Sequence, residues 1–383
     1  MSAKGGSASG GKKALLIIII SAAIILTGAY FFRQKIVVEV FTPTGPSGNI
    51  GVSSEEMAET EDIEIIVSDL QIPWEITFLP TGELLVTERP GNLLKIGQDR
   101  TVIKISGVEH VGEGGLQGLA LHPDFVNNNL IYLYLTTKTK DGLINRVERY
   151  QLVGNSLENK TIIIDNIPGA RFHDGGRIEF GPDDKLYITT GDAGQSDKAQ
   201  DLDYLGGKIL RLNADGSVPE DNPFGTEIYS YGHRNPQGLV WDRFDRLWIT
   251  EHGRSGALSG LDELNLIEPG KNYGWPVVQG DEEEVEMISP RIHSGPDVTW
   301  APAGAIFWND SIFFAGLRGE ALYEFSLASG ELSSHFFQEF GRLRAVVLDN
   351  AGFMYLTTSN TDGRGTMRFN DDKIIKINPN IFR

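Results

Sequence analysis

Short glycine-rich loops carry the residues of this chain that could do chemistry. One loop reads Phe172-His173-Asp174-Gly175-Gly176, and another reads Gly232-His233-Arg234-Asn235-Pro236. A third holds Glu113 among glycines, and a fourth holds Arg342 and Arg344. If these loops meet, one acid, one or two histidines and several arginines form a pocket for a planar polyanion, because guanidinium forks match carboxylates. His173 would then be either a general base or a hydrogen-bonded structural residue.

A second group of polar residues is suited to a hard cation. Residues 251–254 read Glu-His-Gly-Arg, residues 262–265 read Asp-Glu-Leu-Asn, and residues 270–276 form another glycine-containing loop. Calcium prefers oxygen ligands, and these loops supply both carboxylates and main-chain carbonyls. The composition is typical of a calcium site, and equally of an acidic loop that is only solvated.

Composition excludes several classes of function. The formal net charge is -18, so this surface would repel a nucleic-acid backbone, and no nucleic-acid partner is expected. The chain has no cysteine. Disulfides, thiolate catalysis and cysteine-ligated metal sites are therefore excluded.

Six repeated strand pairs must position the polar loops. Each pair has two short apolar runs around a turn rich in Pro, Asp, Asn or Gly. The pairs are predicted over residues 74–87, 118–134, 177–190, 238–250, 304–315 and 345–357. Further strand-like runs follow most of them, which predicts an all-β, six-bladed β-propeller. The alternative, a β-sandwich, would not explain why similar strand pairs recur roughly every 40 to 60 residues.

Two consequences follow for the arrangement of the propeller. Residues 63–67 form a spare strand before the first pair, which could join the last blade and remove its open edge. Loops at one end of a propeller converge on the central channel. The polar residues that precede the first strand of successive blades are therefore expected to be neighbours.

The first 61 residues differ from the rest. Residues 14–32 contain no charged side chain, and this length just suffices for one helix across a bilayer. A cleaved signal peptide is the alternative, but the aromatic end of the run favours a retained anchor. We therefore predict a short cytoplasmic segment at residues 1–13, a transmembrane helix at 14–32, a flexible linker at 33–61 and an extracytoplasmic propeller at 62–383.

The phrases in these loops resemble those of the soluble quinoprotein glucose dehydrogenase and aldose sugar dehydrogenase family. The matching phrases, in chain order, are Gly114-Gly115-Leu116, His173-Asp174-Gly175-Gly176-Arg177, Gly232-His233-Arg234-Asn235-Pro236-Gln237-Gly238, Glu251-His252-Gly253, Asp262-Glu263-Leu264-Asn265 and Asn272-Tyr273-Gly274-Trp275-Pro276. The resemblance implies a six-bladed propeller that uses pyrroloquinoline quinone (PQQ) and calcium to oxidise an aldose at C1 to the lactone.

The resemblance also implies roles for individual residues. His173 resembles the catalytic base that takes the proton of the sugar C1 hydroxyl as hydride passes to the quinone. The implied cofactor-binding residues are Glu113, Arg234, Asn235, Arg318, Arg342 and Arg344. The implied calcium ligands are the carbonyls of Gly253 and Arg254 at the catalytic ion, with Glu263 and Tyr273 at a further site.

Two of the implied cofactor-binding positions depart from the family pattern. Arg318 stands where a lysine is common, which keeps the charge and changes the geometry. Glu113 stands where some members have glutamine. A carboxylate beside an anionic ligand is unfavourable unless it points away or pairs with an arginine.

The implied partners are an aldose substrate, an external electron acceptor (a quinone or a redox protein) and the membrane. Two other functions fit the same residues. One is a calcium-dependent, lactonase-like hydrolase on the same architecture, which would not need Arg234, Arg342 and Arg344. The other is a propeller that binds sugars or proteins without catalysis, because a fold does not fix a function.

Overall fold

The computed structural model describes residues 62–255 and 259–383, and in these ranges the chain forms six four-stranded sheets. The expected all-β, six-bladed propeller is confirmed. The predicted cytoplasmic segment, transmembrane helix and linker lie outside the described residues. Within the two described ranges, no helix has the length and apolar character needed to cross a membrane.

The sheets follow one another along the chain, and each is antiparallel. The first blade contains β2 Pro73–Phe78, β3 Leu84–Glu88, β4 Asn92–Ile96 and β5 Arg100–Lys104. The second contains β6 Leu116–Leu121, β7 Leu130–Thr139, β8 Gly142–Val153 and β9 Ser156–Pro168. The third contains β10 Ile178–Phe180, β11 Leu186–Thr190, β12 Lys208–Leu212 and β13 Ile228–Tyr231.

The other three blades complete the ring. The fourth blade contains β14 Pro236–Trp241, β15 Leu247–Glu251, β16 Glu263–Ile267 and β17 Ile292–His293. The fifth contains β18 Pro302–Trp308, β19 Ser311–Gly316, β20 Ala321–Ser326 and β21 Leu332–His335. The sixth contains β22 Leu343–Leu348, β23 Met354–Thr358, β24 Ile374–Ile377 and β1 Ile63–Val67. The described helices are short: α1 Phe125–Asn128 and two 3₁₀ helices, Ser196–Gln200 and Pro379–Phe382.

The spare N-terminal strand closes the propeller as the sequence predicted. β1 pairs antiparallel with β24, and Ile63 lies opposite Ile377. The last blade is thus built from both ends of the propeller domain. This pairing covers an edge of β24 that would otherwise present unpaired main-chain groups.

Asp side chains explain why the chain turns where the sequence indicated. Asp183, Asp242 and Asp349 each follow the first strand of a blade and accept the main-chain N–H two residues later. The other carboxylate oxygen of each accepts a Tyr hydroxyl or Trp N–H from the second strand. One side chain therefore fixes both the turn and the start of the next strand.

The apolar core lies between blades and forms layers around the ring. One cluster joins Leu85 and Leu93 of the first blade to Leu133 of the second, and another joins Phe313 of the fifth blade to Leu356 of the sixth. Because neighbouring blades cover both faces of each sheet, the second strand of a blade is almost fully buried, whereas outer strands such as β5 and β9 are partly exposed. The rigid ring leaves the loops at its ends free to carry polar groups.

A buried ion pair crosses the central channel. Glu75 lies on β2, the innermost strand of the first blade, and Arg177 immediately precedes β10, the innermost strand of the third blade. Glu75 is 5% exposed and Arg177 is 4% exposed. Arg177 Nη1 contacts Glu75 Oε2, and its guanidinium lies 4.2 Å from the ring centroid of Trp74. Burial lowers the pKa of Arg177 to about 9, so it remains a cation at neutral pH.

Removing Arg177 should destabilise the propeller because it leaves a buried, unpaired carboxylate. We expect Arg177→Met to lower the free energy of unfolding by about 3 to 5 kcal/mol, measured by urea unfolding at pH 7. The control is Arg243→Met, whose partner is Asp310 and whose pair is half exposed. That change should cost less than about 1 kcal/mol. Equal losses in the two variants would contradict a special role for the channel pair.

Candidate active site

The sequence-predicted site residues meet at one end of the propeller. Loops that precede the first strand of a blade, and loops that join its second and third strands, open at the same end because adjacent strands are antiparallel. The residues carried there by such loops or at their edges are Glu113, His173, Arg234, Asn235, Gly253, Arg254, Glu263, Arg318, Arg342 and Arg344. The long segment between β16 and β17 brings Tyr273 to the same end of the propeller, because the main-chain N–H of Trp275 donates to the Gly232 carbonyl at 2.9 Å.

His173 is held in a defined orientation. Its Nδ1 lies 2.7 Å from Asp192 Oδ1, and its side chain is 13% exposed. Burial would raise the pKa of Asp192, but hydrogen bonds from His173, Gly194 and Trp275 lower it, so this group is an ionised carboxylate. An ionised carboxylate only accepts hydrogen bonds, and therefore Nδ1 of His173 carries the proton. Nε2 has no hydrogen-bond partner among the residues that the structure describes, and in the neutral imidazole it is the nitrogen that carries the lone pair.

Asp192 is itself fixed from three sides. Its Oδ1 also accepts the Gly194 N–H at 2.7 Å, and its Oδ2 accepts the Trp275 indole N–H at 2.9 Å. The ring of Trp275 in turn lies 5.3 Å from the Arg234 guanidinium carbon. A histidine whose second nitrogen is oriented by a buried carboxylate is the usual arrangement of a general base.

The arginines surround a region next to His173. Arg234 is 6% exposed and donates to Ser255 Oγ at 2.7 Å. Arg342 donates to Asp362 Oδ2 at 2.8 Å, and Arg344 donates to Gln237 Oε1. Arg318 lies farther out and donates to Ser259 Oγ at 2.9 Å. Burial lowers the pKa of Arg344 to about 9, which still leaves it positively charged at pH 7.

Buried N–H groups without a partner mark this region as a ligand site. The described residues with such groups here are Arg89 (Nε), Asn235 (Nδ2), Arg254 (Nε), Arg342 (Nε) and Arg344 (Nε). Native proteins leave few buried donors unpaired, so several at one place indicate a missing acceptor. Four of the five belong to guanidinium groups. The donors therefore fit an anionic ligand with several oxygen atoms.

The candidate cation region is shaped by Asp262. Its Oδ1 accepts the Gly253 N–H at 2.8 Å, and its Oδ2 accepts the Thr299 hydroxyl and the N–H groups of Trp300 and Ala301. Asp262 thus holds the loop whose Gly253 and Arg254 carbonyls are the predicted ligands. Among the described residues, no cluster of three or more His, Asp or Glu side chains could hold a metal ion. The predicted ligands here are carbonyl oxygens, which suit calcium.

Glu263 and Tyr273 line one small cavity together with Arg234, Glu251 and Gly253. Burial, and then the charge of Glu251, raise the pKa of Glu263 to about 8. A dication would relieve such a pair of buried carboxylates. The Tyr273 hydroxyl donates to the Leu266 carbonyl and accepts the Glu268 N–H, so only the main-chain carbonyl of Tyr273 is suited to binding a cation.

Sequence reasoning did not identify Asp192 and Arg89 as residues of the site. Arg89 is 3% exposed, and its Nη2 donates to the Gly112 carbonyl beside Glu113. Both residues follow the second strand of a blade, β11 and β3 respectively. Convergence was expected mainly for the residues that precede each first strand. Loops that precede a first strand and loops that follow a second strand open at the same end of the propeller, and this rule would have identified both residues.

A cavity of about 500 Å³ lies at the opposite end of the propeller, between the third and fourth blades. Its lining includes Tyr187, Trp241, Asp183 and Arg246. Asp183 is already paired with Arg211, and Arg246 with Asp242. Among the described residues, none that lines it has a buried polar atom without a partner, in contrast to the other end of the propeller.

Comparison with known proteins gives consistent matches. The model of the glucose / sorbosone dehydrogenase family matches residues 70–369. The aldose sugar dehydrogenase YliI of Escherichia coli K12 is 33% identical over 276 residues, 67% of this chain and 73% of that protein. Quinoprotein glucose dehydrogenase B of Acinetobacter calcoaceticus is 34% identical over 265 residues, covering 59% of this chain and 55% of that protein.

A solved structure matches over most of its length. The PQQ-bound form of aldose sugar dehydrogenase from Streptomyces coelicolor superimposes with a TM-score of 0.75 and is 37% identical in sequence. The match covers 82% of this chain and 97% of the other. It therefore extends over the whole ring of blades described above.

Proposed function

Because the chain belongs to the glucose / sorbosone dehydrogenase family, we propose that it oxidises aldose sugars at C1 to lactones, using PQQ and calcium. One observation carries this proposal. A histidine with an available Nε2 lies beside a group of buried arginine and asparagine N–H groups that have no partner. An anionic quinone cofactor would supply the missing acceptors, and the histidine would serve the substrate.

The residues present fit both cofactors. Arg89, Arg234, Arg342, Arg344 and Asn235 would hold the carboxylates and quinone oxygens of PQQ, and Arg318 would contribute from the rim. The carbonyls of Gly253 and Arg254 would bind the catalytic calcium, and Glu263 with the Tyr273 carbonyl a second ion. When bound, the quinone accepts hydride, and calcium polarises its carbonyl.

The chain's own residues supply the proton transfer. His173 Nε2 accepts the proton of the sugar C1 hydroxyl, which lets the C–H bond at C1 release hydride. Asp192 then stabilises the imidazolium and keeps the ring from rotating. The indole N–H of Trp275 and the Gly194 N–H keep Asp192 itself in place.

Asp192→Asn should impair turnover without removing the cofactor. An asparagine can donate as well as accept, so Nδ1 need not carry the proton and Nε2 can lose its lone pair. We expect kcat to fall by about 10² to 10³-fold, with the PQQ dissociation constant changed by less than about threefold. Steady-state kinetics with glucose, together with absorbance titration of PQQ, would measure both. A loss confined to PQQ affinity would show that Asp192 serves the cofactor instead.

The proposed function is tested by titrating the full-length protein with PQQ, with and without calcium, and then adding glucose. Saturable binding that needs calcium, followed by sugar-dependent bleaching of the quinone absorbance, is the expected result. Absence of PQQ binding under both conditions would overturn the proposal. Hydrolysis of a sugar lactone would then be measured, because a calcium-dependent hydrolase would not need the arginines.

We also propose that residues 14–32 anchor the enzyme, with the propeller outside the cytoplasm and electrons leaving to an external quinone or redox protein. The support is the uncharged run in the sequence. Fractionation of cells should find the protein in the membrane pellet, resistant to high salt and released by detergent. Deletion of residues 1–32 should move it to the supernatant with its activity intact. Recovery of the full chain in the soluble fraction would contradict the anchor.

A further inference from the structure

The main chain of His173 adopts a conformation that needs support. Its φ angle is +62°, in the left-handed region that residues other than glycine rarely enter. Two hydrogen bonds hold this conformation. The His173 N–H donates to Glu113 Oε2 at 2.9 Å, and its carbonyl accepts the Ala193 N–H at 3.1 Å. A strained residue at a candidate active site persists only where its neighbours fix it.

Both carboxylate oxygens of Glu113 and its main-chain N–H already make contacts within the protein. Its Oε2 accepts the His173 N–H, its Oε1 lies 2.6 Å from Arg364 Nη1, and its own N–H donates to the Arg171 carbonyl at 2.9 Å. Burial would raise the pKa of Glu113, but Arg364 and then the His173 N–H lower it, and the pKa lies well below its ordinary value. The carboxylate is therefore charged and already has partners on both oxygens.

Arg364 connects this carboxylate to the sixth blade, which lies on the other side of the first blade. It lies in the loop after β23 of the sixth blade, whereas Glu113 lies before β6 of the second. The N–H of Arg364 donates to Asp362 Oδ1 at 2.9 Å, and Asp362 Oδ2 accepts from Arg342 at 2.8 Å. Contacts thus run from a cofactor-side arginine, through Asp362, Arg364 and Glu113, to the main chain of His173.

We propose that Glu113 and Arg364 act as a positioning pair for His173, and that Glu113 is not a direct contact of the cofactor. This inference rests on the proposed function for the role of His173. Glu113 supplies the acceptor that fixes the histidine main chain. Arg364 balances its charge, so that a carboxylate can stand beside an anionic ligand without repelling it.

Three single variants and one double variant of the full-length protein separate the two parts of the pair. Glu113→Ala removes the acceptor, and we expect kcat to fall by about 10 to 100-fold, with the PQQ dissociation constant changed by less than threefold. Glu113→Gln keeps an acceptor oxygen and should lose less than about fivefold. Arg364→Gln leaves the Glu113 carboxylate without its counter-charge beside the anionic cofactor, so PQQ affinity should fall by about threefold or more. The double variant Glu113→Gln/Arg364→Gln should recover most of that loss, because a neutral amide needs no counter-charge.

The control is Arg368→Gln, in the same loop. Arg368 donates to the carbonyls of Gln338 and Glu339 and does not contact Glu113, so kcat and PQQ affinity should not change. A second readout needs no turnover. Carbon-13 NMR of labelled histidine in the cofactor-free protein should show a shifted or doubled His173 signal in Glu113→Ala and a single, nearly unshifted one in Glu113→Gln.

The outcomes are distinct. Unchanged His173 signals in Glu113→Ala would overturn the positioning role, whether or not the enzyme oxidises sugar. PQQ affinity weakened tenfold or more in Glu113→Ala, with kcat unchanged at saturating PQQ, would also overturn it, because Glu113 would then be a cofactor contact. If the wild-type protein neither binds PQQ nor oxidises sugar, the proposed function fails, and the NMR comparison still decides whether Glu113 orders the histidine.

Discussion

Replacing His173 with asparagine should lower kcat for glucose by about 10² to 10⁴-fold while PQQ still binds. His173 is the group whose Nε2 has no hydrogen-bond partner in the described structure, and its Nδ1 is committed to Asp192. An asparagine amide cannot accept the hydroxyl proton at neutral pH. The measurement is single-turnover bleaching of bound quinone by glucose, which isolates the chemical step from release of electrons to an acceptor.

The matched control is His122→Asn. His122 lies in the turn between β6 and β7, at the opposite end of the propeller, and its Nδ1 accepts the Asp124 N–H. Asparagine can accept the same hydrogen bond, so kcat should stay within about twofold of wild type. If His173→Asn turned over at the wild-type rate while binding PQQ normally, another group would have to be the base.

Arg344→Met should weaken PQQ binding by about 30-fold to 10³-fold, equivalent to roughly 2 to 4 kcal/mol. Arg344 is 4% exposed, its Nε has no partner among the described residues, and its guanidinium lies 5.7 Å from the Trp74 ring. A buried cation contributes more to the binding free energy of an anionic ligand than an exposed cation does, because little water screens the charge pair. Absorbance titration with PQQ at fixed calcium would give the dissociation constant.

Two further variants make this result specific. Arg344→Lys keeps the charge but not the planar fork, so its loss should be intermediate. Arg243→Met removes an exposed arginine at the opposite end and should leave PQQ affinity unchanged. Thermal unfolding of each variant would show whether the fold is retained. Equal affinities of wild type and Arg344→Met would remove this arginine from the cofactor site.

The departure at Glu113 shows how a sequence can raise a question that only the structure resolves. A carboxylate beside an anionic ligand is unfavourable unless an arginine balances it. The balancing residue, Arg364, is 251 positions away in sequence. Nothing in the chain between them indicates the pairing, because it depends on closure of the ring, which brings the second and sixth blades to either side of the first.

The sequence by itself determined the architecture and the family. The apolar pairs and their turns are local signals: a turn aspartate and two short strands are fixed by residues within about a dozen positions of one another. Repeating that unit six times implied the ring, and the spare strand at residues 63–67 implied its closure, which β1 confirms. The phrases around His173, Arg234 and Gly253 indicated the family to which the chain belongs.

Only the tertiary structure decided how these residues work together. It placed Asp192 and Trp275 behind His173, added Arg89 to the arginines, and paired Glu113 with Arg364. These contacts join different blades or distant parts of the chain, and their distances and burial depend on how the ring closes. Local pattern fixes each strand pair, whereas the protonation and orientation of a side chain are set by neighbours that only the folded ring brings together.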